Sequence, residues 1–140
     1  MKYLCDAPDR KSWFRIETEV EAEQESTLMG HAVAKHFRQA RERAAARYKP
    51  PSSVGFERDI GREAHIQRTT PLFLTLRDQD GKAHVTAMLP PGGKDDREFR
   101  IIIVGPSNAD PYPAQQAAID ALGVHFGLAL DRARCFPYAR

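Results

Sequence analysis

The chain is short of most features that announce a chemistry. Its 140 residues include two cysteines, one tryptophan and three methionines. Cys5 and Cys135 lie near opposite ends with no CxxC pair, which excludes a zinc ribbon or a dithiol redox motif and predicts two reduced thiols. No apolar run approaches the length of a membrane span, so no membrane partner is expected. Met1-Lys2-Tyr3-Leu4-Cys5-Asp6 turns polar at once and carries no signal-peptide stretch, which makes a cytoplasmic location the expectation. Charge of one sign is missing too: 21 Lys and Arg against 19 Asp and Glu leave a net +2. Such a balance permits an anionic partner without demanding one. There is no GxSxG elbow, no HExxH pair and no GxxxxGK[ST] loop.

What is present describes an ordinary globular chain, 41% hydrophobic and 29% charged. That length and composition predict one α+β domain over residues 1–140, with 130–140 as an extended C-terminal arm. The most conspicuous stretch runs from Thr18 to Tyr48 and reads as one long helix. Thr18 with Glu21 is a capping-box signature. Glu19, Glu21, Glu23 and Glu25 fill the first half, and Lys35, Arg38, Arg41, Arg43, Arg47 and Lys49 the second, the order that a helix dipole favours. Leu28, Met29, Ala32, Val33, His36, Phe37, Ala40, Ala44 and Tyr48 share one broad face. Pro50-Pro51 ends the helix, and Gly30 is its weak point, where a bend or break is expected if anywhere.

On either side the chain reads as β structure. Residues 2–17 predict a hairpin, with Lys2–Cys5 and Trp13–Glu17 as strands around the turn Ala7–Lys11. In the return strand Phe14 and Ile16 share one face, Trp13 and Arg15 the other. Residues 56–67 are ambiguous between a short amphipathic helix carrying Ile60 and Ala64 and an irregular segment. Leu72–Arg77, Lys82–Leu89 and Phe99–Val104 predict a three-stranded antiparallel meander. Leu72, Leu74 and Leu76 face Ala83, Val85, Ala87 and Leu89 across it, and His84, Thr86 and Met88 point outward. Asp110-Pro111 opens a second helix with Ala118, Ile119, Leu122 and Phe126 as its stripe, and Gly127-Leu128 closes it. Both helices are expected on one face of the sheet.

Chemistry is harder to find. His31 and His36 fall about 140° apart on a continuous helix and cannot ligate one metal from one face. His65, His84 and His125 lie in separate segments, so a composite site with Cys135 requires the fold to gather them. Pro90-Pro91-Gly92-Gly93-Lys94 is followed by two aspartates and a strand, which makes it a hairpin turn rather than a phosphate loop. No cofactor and no metal are predicted.

The basic half of the long helix is the most distinctive surface, and Lys35, Arg38, Arg41, Arg43 and Arg47 are the expected partner-binding residues. An acidic half and a basic half on one helix are self-complementary in an antiparallel pair, which predicts a homodimer and, more broadly, a non-enzymatic protein that binds a protein partner. Nucleic-acid binding through the same residues is the alternative, and a small enzyme with a site invisible in the sequence is the third. From the long helix onward the order α-β-β-β-α resembles the double-stranded-RNA-binding domain in topology. That family carries a lysine-rich cluster at the start of its last helix. Asp110 to Ala121 contains neither Lys nor Arg, so the likeness ends at topology.

Overall fold

The computed structural model describes residues 1–49 and 55–137, with side chains for all of these but 55–59. Five strands, β1 (Lys2–Ala7), β2 (Lys11–Arg15), β3 (Leu72–Arg77), β4 (Ala83–Leu89) and β5 (Ile102–Val104), form one antiparallel sheet in chain order. The N-terminal hairpin and the meander are thus one sheet, joined where Trp13 pairs with Leu76 and Arg15 with Leu74. The hairpin turns at Asp9 and Arg10, both at positive φ. Four helices complete the fold: α1 (Glu19–Met29), α2 (Val33–Arg47), α3 (Gly55–Thr69) and α4 (Tyr112–Phe126).

The α+β class and the N-terminal hairpin are as expected, and four details differ. First, the predicted long helix is two helices. Gly30 adopts the left-handed conformation (φ 64°) as the C-cap of α1, and the Ser26 hydroxyl accepts from Ala34 N at 2.9 Å, capping α2 from across the break. Glu19 and Arg38 would lie about 28 Å apart on a continuous helix; here Arg38 Nε donates to Glu19 Oε1 at 2.6 Å. The two helices therefore fold back on each other, and Leu28 is exposed.

Second, helices cover both faces of the sheet rather than one. On one face α4 packs Ala118, Ile119 and Leu122 against Trp13, Leu72, Leu74, Leu76, Val85, Ala87 and Leu89. On the other, α1 and α2 pack Ala22, Val33, Ala34, Phe37 and Ala40 against Ile16 and Phe73, with Met88 alongside. Thr86 and Met88, expected to point outward, point into this second layer. The short apolar run Ile101–Val104 is consistent with such a sheet, covered on both sides.

Third, residues 56–67 lie within the helix α3. Among its described side chains Ile66 is buried, and Ile60 is exposed. Gly61 lets α3 meet the end of α2: a Cβ there would stand 2.3 Å from the Tyr48 hydroxyl. Fourth, the last strand is shorter than Phe99–Val104, because Asp96 accepts from Glu98 N and Phe99 N and turns the chain first. The C-terminal arm supports that strand's free edge. Phe136 N donates to Ile101 O at 2.8 Å and Ile103 N to Phe136 O at 3.3 Å.

The α-β-β-β-α order is interrupted by α3, and its sheet is extended by β1 and β2. The local stop and start signals at described residues hold, while Pro50 and Pro51 lie outside the described residues. The Thr18–Glu21 capping box is formed, Asp110 Oδ1 accepts from Tyr112 N, and Gly127 closes α4 at φ 69° with Leu128 N reaching Gly123 O. No helix among the described residues is long and apolar enough to cross a membrane.

Candidate functional site

The break at Gly30 sets up the site. It takes His31 off the helix and turns its ring toward the sheet, where Nε2 lies 2.9 Å from Thr86 Oγ1. Thr86 in turn donates to Glu25 Oε2 at 2.5 Å. Glu25 sits three residues after Ala22 and four before Met29, on the buried stripe of α1, and is fully enclosed. A buried carboxylate needs a counter-charge and hydrogen bonds. Arg77 supplies both from the end of β3, its Nη2 lying 2.6 Å from Glu25 Oε1. Its Nε is held by Thr75 Oγ1. An arginine, a glutamate, a threonine and a histidine from four separate elements thus form one connected chain.

That chain ends at a cavity of about 920 Å³ between the sheet and α2 and α3, a volume suited to a small organic ligand. Phe73, Met88, Ile102 and Val104 form its floor, and Val33, Ala40 and Ala44 of α2 one wall. The tail and the loop before β5 add Phe136 and Phe99. Polar groups stand among these apolar ones. His31, His36 and His65 all line the cavity, so the break undoes the angular argument that kept His31 and His36 apart. His31 Nδ1 and His65 Nε2 are both buried without a hydrogen-bond partner. Burial pushes the His31 pKa below its ordinary value, opposed by its own backbone carbonyl and by the Glu25 charge, and reinforced by His36.

The lining also gathers charge. Arg43, Arg47 and Arg100 contribute three guanidinium groups and Glu98 one carboxylate. None of the three arginines is in a salt bridge among the described residues. Arg100 lies over the Phe136 ring at 5.0 Å. No group of three His, Cys, Asp or Glu among the described residues is placed to hold a metal.

The five basic residues singled out from the sequence divide three ways. Arg38 pairs with Glu19 and, at 4.0 Å, with Glu23. Arg41 donates to both carboxylate oxygens of Glu63 at 2.9 Å, a bond that holds the Glu63 pKa below the carboxylate range. Lys35 is exposed on α2, and Arg43 and Arg47 line the cavity. Of the acid-to-base complementarity that suggested an antiparallel dimer, the fold-back of α1 on α2 uses Arg38 with Glu19 and Glu23.

The remaining candidates lie elsewhere. His84 pairs with Asp78 in the hairpin, and His125 meets Phe126 edge to face. Cys135 is buried in the α4 layer, with burial raising its pKa, and both cysteines are free thiols. In the Pro90–Lys94 turn a Cβ on Gly93 would come within 2.2 Å of the Phe126 ring, so that glycine serves packing. The sequence does not single out Glu25, Arg77 or Arg100, and of the composite set only His65 reaches the cavity. One signal was available: Glu25 interrupts the apolar stripe Ala22–Met29 at a position that must be buried.

Compared with known proteins, the chain matches no family model, no curated protein and no solved structure.

Proposed function

We propose that the protein binds a small amphipathic organic anion, an apolar body ending in a carboxylate, in the cavity between α2, α3 and the sheet. One observation carries this reading: a cavity of about 920 Å³ with an apolar floor gathers Arg43, Arg47 and Arg100, none of them in a salt bridge among the described residues. Apolar surface supplies affinity by leaving water. Guanidinium groups supply orientation, because their planar fork matches a carboxylate.

Calorimetric titration with dodecanoate, kept below its micelle concentration, tests this. One-site binding is expected, abolished by Ala44→Trp, which fills the wall, and weakened at least ten-fold by Arg43→Glu with Arg47→Glu. Absence of binding, or binding indifferent to both variants, overturns it.

A second reading, contact with a protein partner or a second copy through the basic face of α2, is supported by the exposure of Lys35, Arg43 and Arg47. Charge reversal at Lys35 separates the two, since Lys35 does not line the cavity. It leaves dodecanoate binding intact and weakens any association that uses the outer face. A nucleic acid on the same face would instead show affinity falling steeply with salt.

A further inference from the structure

The three arginines of the cavity differ in what holds them. Arg43 and Arg47 stand one turn apart on α2, both exposed. Neither is in a salt bridge or over an aromatic ring among the described residues. Each ends a long flexible stem that has to be ordered before its fork can meet a carboxylate. Arg100 is held differently. Its guanidinium carbon lies over the Phe136 ring, 5.0 Å from the ring centroid, within the range of a cation–π contact. A ring against the face of a guanidinium leaves its N–H edge free, and that edge is what forks a carboxylate.

The ring is itself anchored. Cys135, the residue before it, is fully buried in the α4 layer. Phe136 N donates to Ile101 O at 2.8 Å, and Phe136 O accepts from Ile103 N at 3.3 Å. Those two bonds fix the arm on both sides of the Phe136 side chain, next door to Arg100. Yet the side chain is left 43% exposed, so its own burial does not account for where it sits. Phe136 and Arg100 both line the cavity. Ile102 pairs with Met88, and Met88 with Phe73. Arg100, two residues before Ile102, therefore stands at the end of the apolar floor away from Val104.

We propose that Arg100 takes the ligand's carboxylate and that Phe136 is its positioning residue, which makes the C-terminal arm part of the binding site. The inference rests on the cavity reading above and adds to it which arginine reads the head group and what aims it. A guanidinium already parked on a ring loses less freedom when it binds, so its hydrogen bonds give more net affinity. Arg43 and Arg47 attract the anion through their charge without a fixed fork.

The test compares decanoate with 1-decanol, its uncharged counterpart, by calorimetry at neutral pH. The wild-type protein is expected to bind the acid about ten-fold more tightly, the effect of one charge-assisted pair. Arg100→Gln is expected to remove that preference, and Arg43→Gln with Arg47→Gln to reduce it by less. Phe136→Leu keeps an apolar wall and both main-chain bonds but has no ring face. It is expected to weaken the acid about five-fold and the alcohol by less than about two-fold. Phe136→Tyr, which keeps the face, retains the wild-type preference. In an Arg100→Gln background Phe136→Leu costs the acid no more than the alcohol, because the ring acts through the guanidinium. If the Ile103 amide of the unliganded Phe136→Leu variant loses its exchange protection, the arm has come away and the wild-type protein decides instead. There the acid is expected to slow exchange of the Phe136 and Ile103 amides more than the alcohol does. Three results overturn the assignment and leave the cavity reading in place: equal losses of both ligands with the arm still docked, a preference that survives Arg100→Gln, or equal amide protection by the two ligands. If the wild-type protein binds neither ligand, or binds both alike, the anion reading of the cavity fails and the assignment fails with it.

Discussion

The two faces of the sheet are built on different principles. Under α4 the layer is almost wholly apolar: Leu74, Leu76, Val85, Leu89, Ile119 and Leu122 are all fully buried. Its polar groups are few and paired, with Trp13 Nε1 donating to Ala118 O and the Tyr112 hydroxyl to Leu130 O, each at 2.8 Å. Under α1 and α2 the sheet presents Thr86 to a buried glutamate and Thr75 to the arginine that pairs with it, and beside them it leaves open volume. Apolar burial is non-directional and roughly proportional to area. Buried polar groups demand specific partners at specific distances. One face thus does the stabilising, and the other can hold a cavity and an unpartnered ring nitrogen.

The comparison can be broken at either face. Glu25→Ala should have the largest effect, about 3–5 kcal/mol by urea denaturation, since it strands the Arg77 guanidinium against a dry layer. Replacing both partners, Glu25→Leu with Arg77→Leu, should recover most of that loss. If it does not, the polar face is held by something other than this pair. Leu122→Ala in the dry layer should lose about 3 kcal/mol through its cavity and leave dodecanoate binding unchanged. Lost binding there would show that the faces are coupled. Gly30→Ala should lose about 1–2 kcal/mol, because its φ of 64° disfavours a side chain and its Cβ would approach Ser107 Oγ at 3.2 Å.

Acidification sharpens the contrast. The His31 pKa lies below the ordinary 6.5, so the unfolded chain takes up that proton first as pH falls. Its contribution is complete above that value and lost below it. Glu63, lowered by Arg41 from the ordinary 4.5, adds a loss only further down. The urea midpoint should therefore fall between about pH 7 and 5.5, and His31→Gln should flatten that part of the curve. The smallest effect belongs to Arg38→Glu. That ion pair is half-exposed on both sides, and its reversal should shift stability by only about 0–1 kcal/mol.

Much of this was readable from local pattern. The capping box at Thr18 and Glu21, the turn at Ala7–Lys11, the Asp110-Pro111 start and the Gly127-Leu128 stop all depend on residues within a few positions of one another. So does the alternation that puts Trp13 opposite Phe14 and Leu74 opposite Phe73. The split of the α1–α2 stretch was visible only as a glycine in an otherwise good helix. What chose a break over a bend was the fold-back that brings Arg38 to Glu19 and the capping of Ala34 N by Ser26.

The site was not readable, for a related reason. Glu25 lies 52 residues from Arg77 and 61 from Thr86, and each looks ordinary in its own segment: one more acid in an acidic helix, a strand-end arginine, an outward threonine. The sequence by itself determined the boundaries at Ala7–Lys11, Thr18, Asp110 and Gly127, because those choices rest on contacts between near neighbours. Only the tertiary structure decided that helices cover both faces, that two basic residues spend their charge on Glu19 and Glu63 while two others line a cavity, and that the His31 ring turns onto Thr86. Those outcomes depend on which distant side chains share a dry layer, and short-range periodicity carries no record of that.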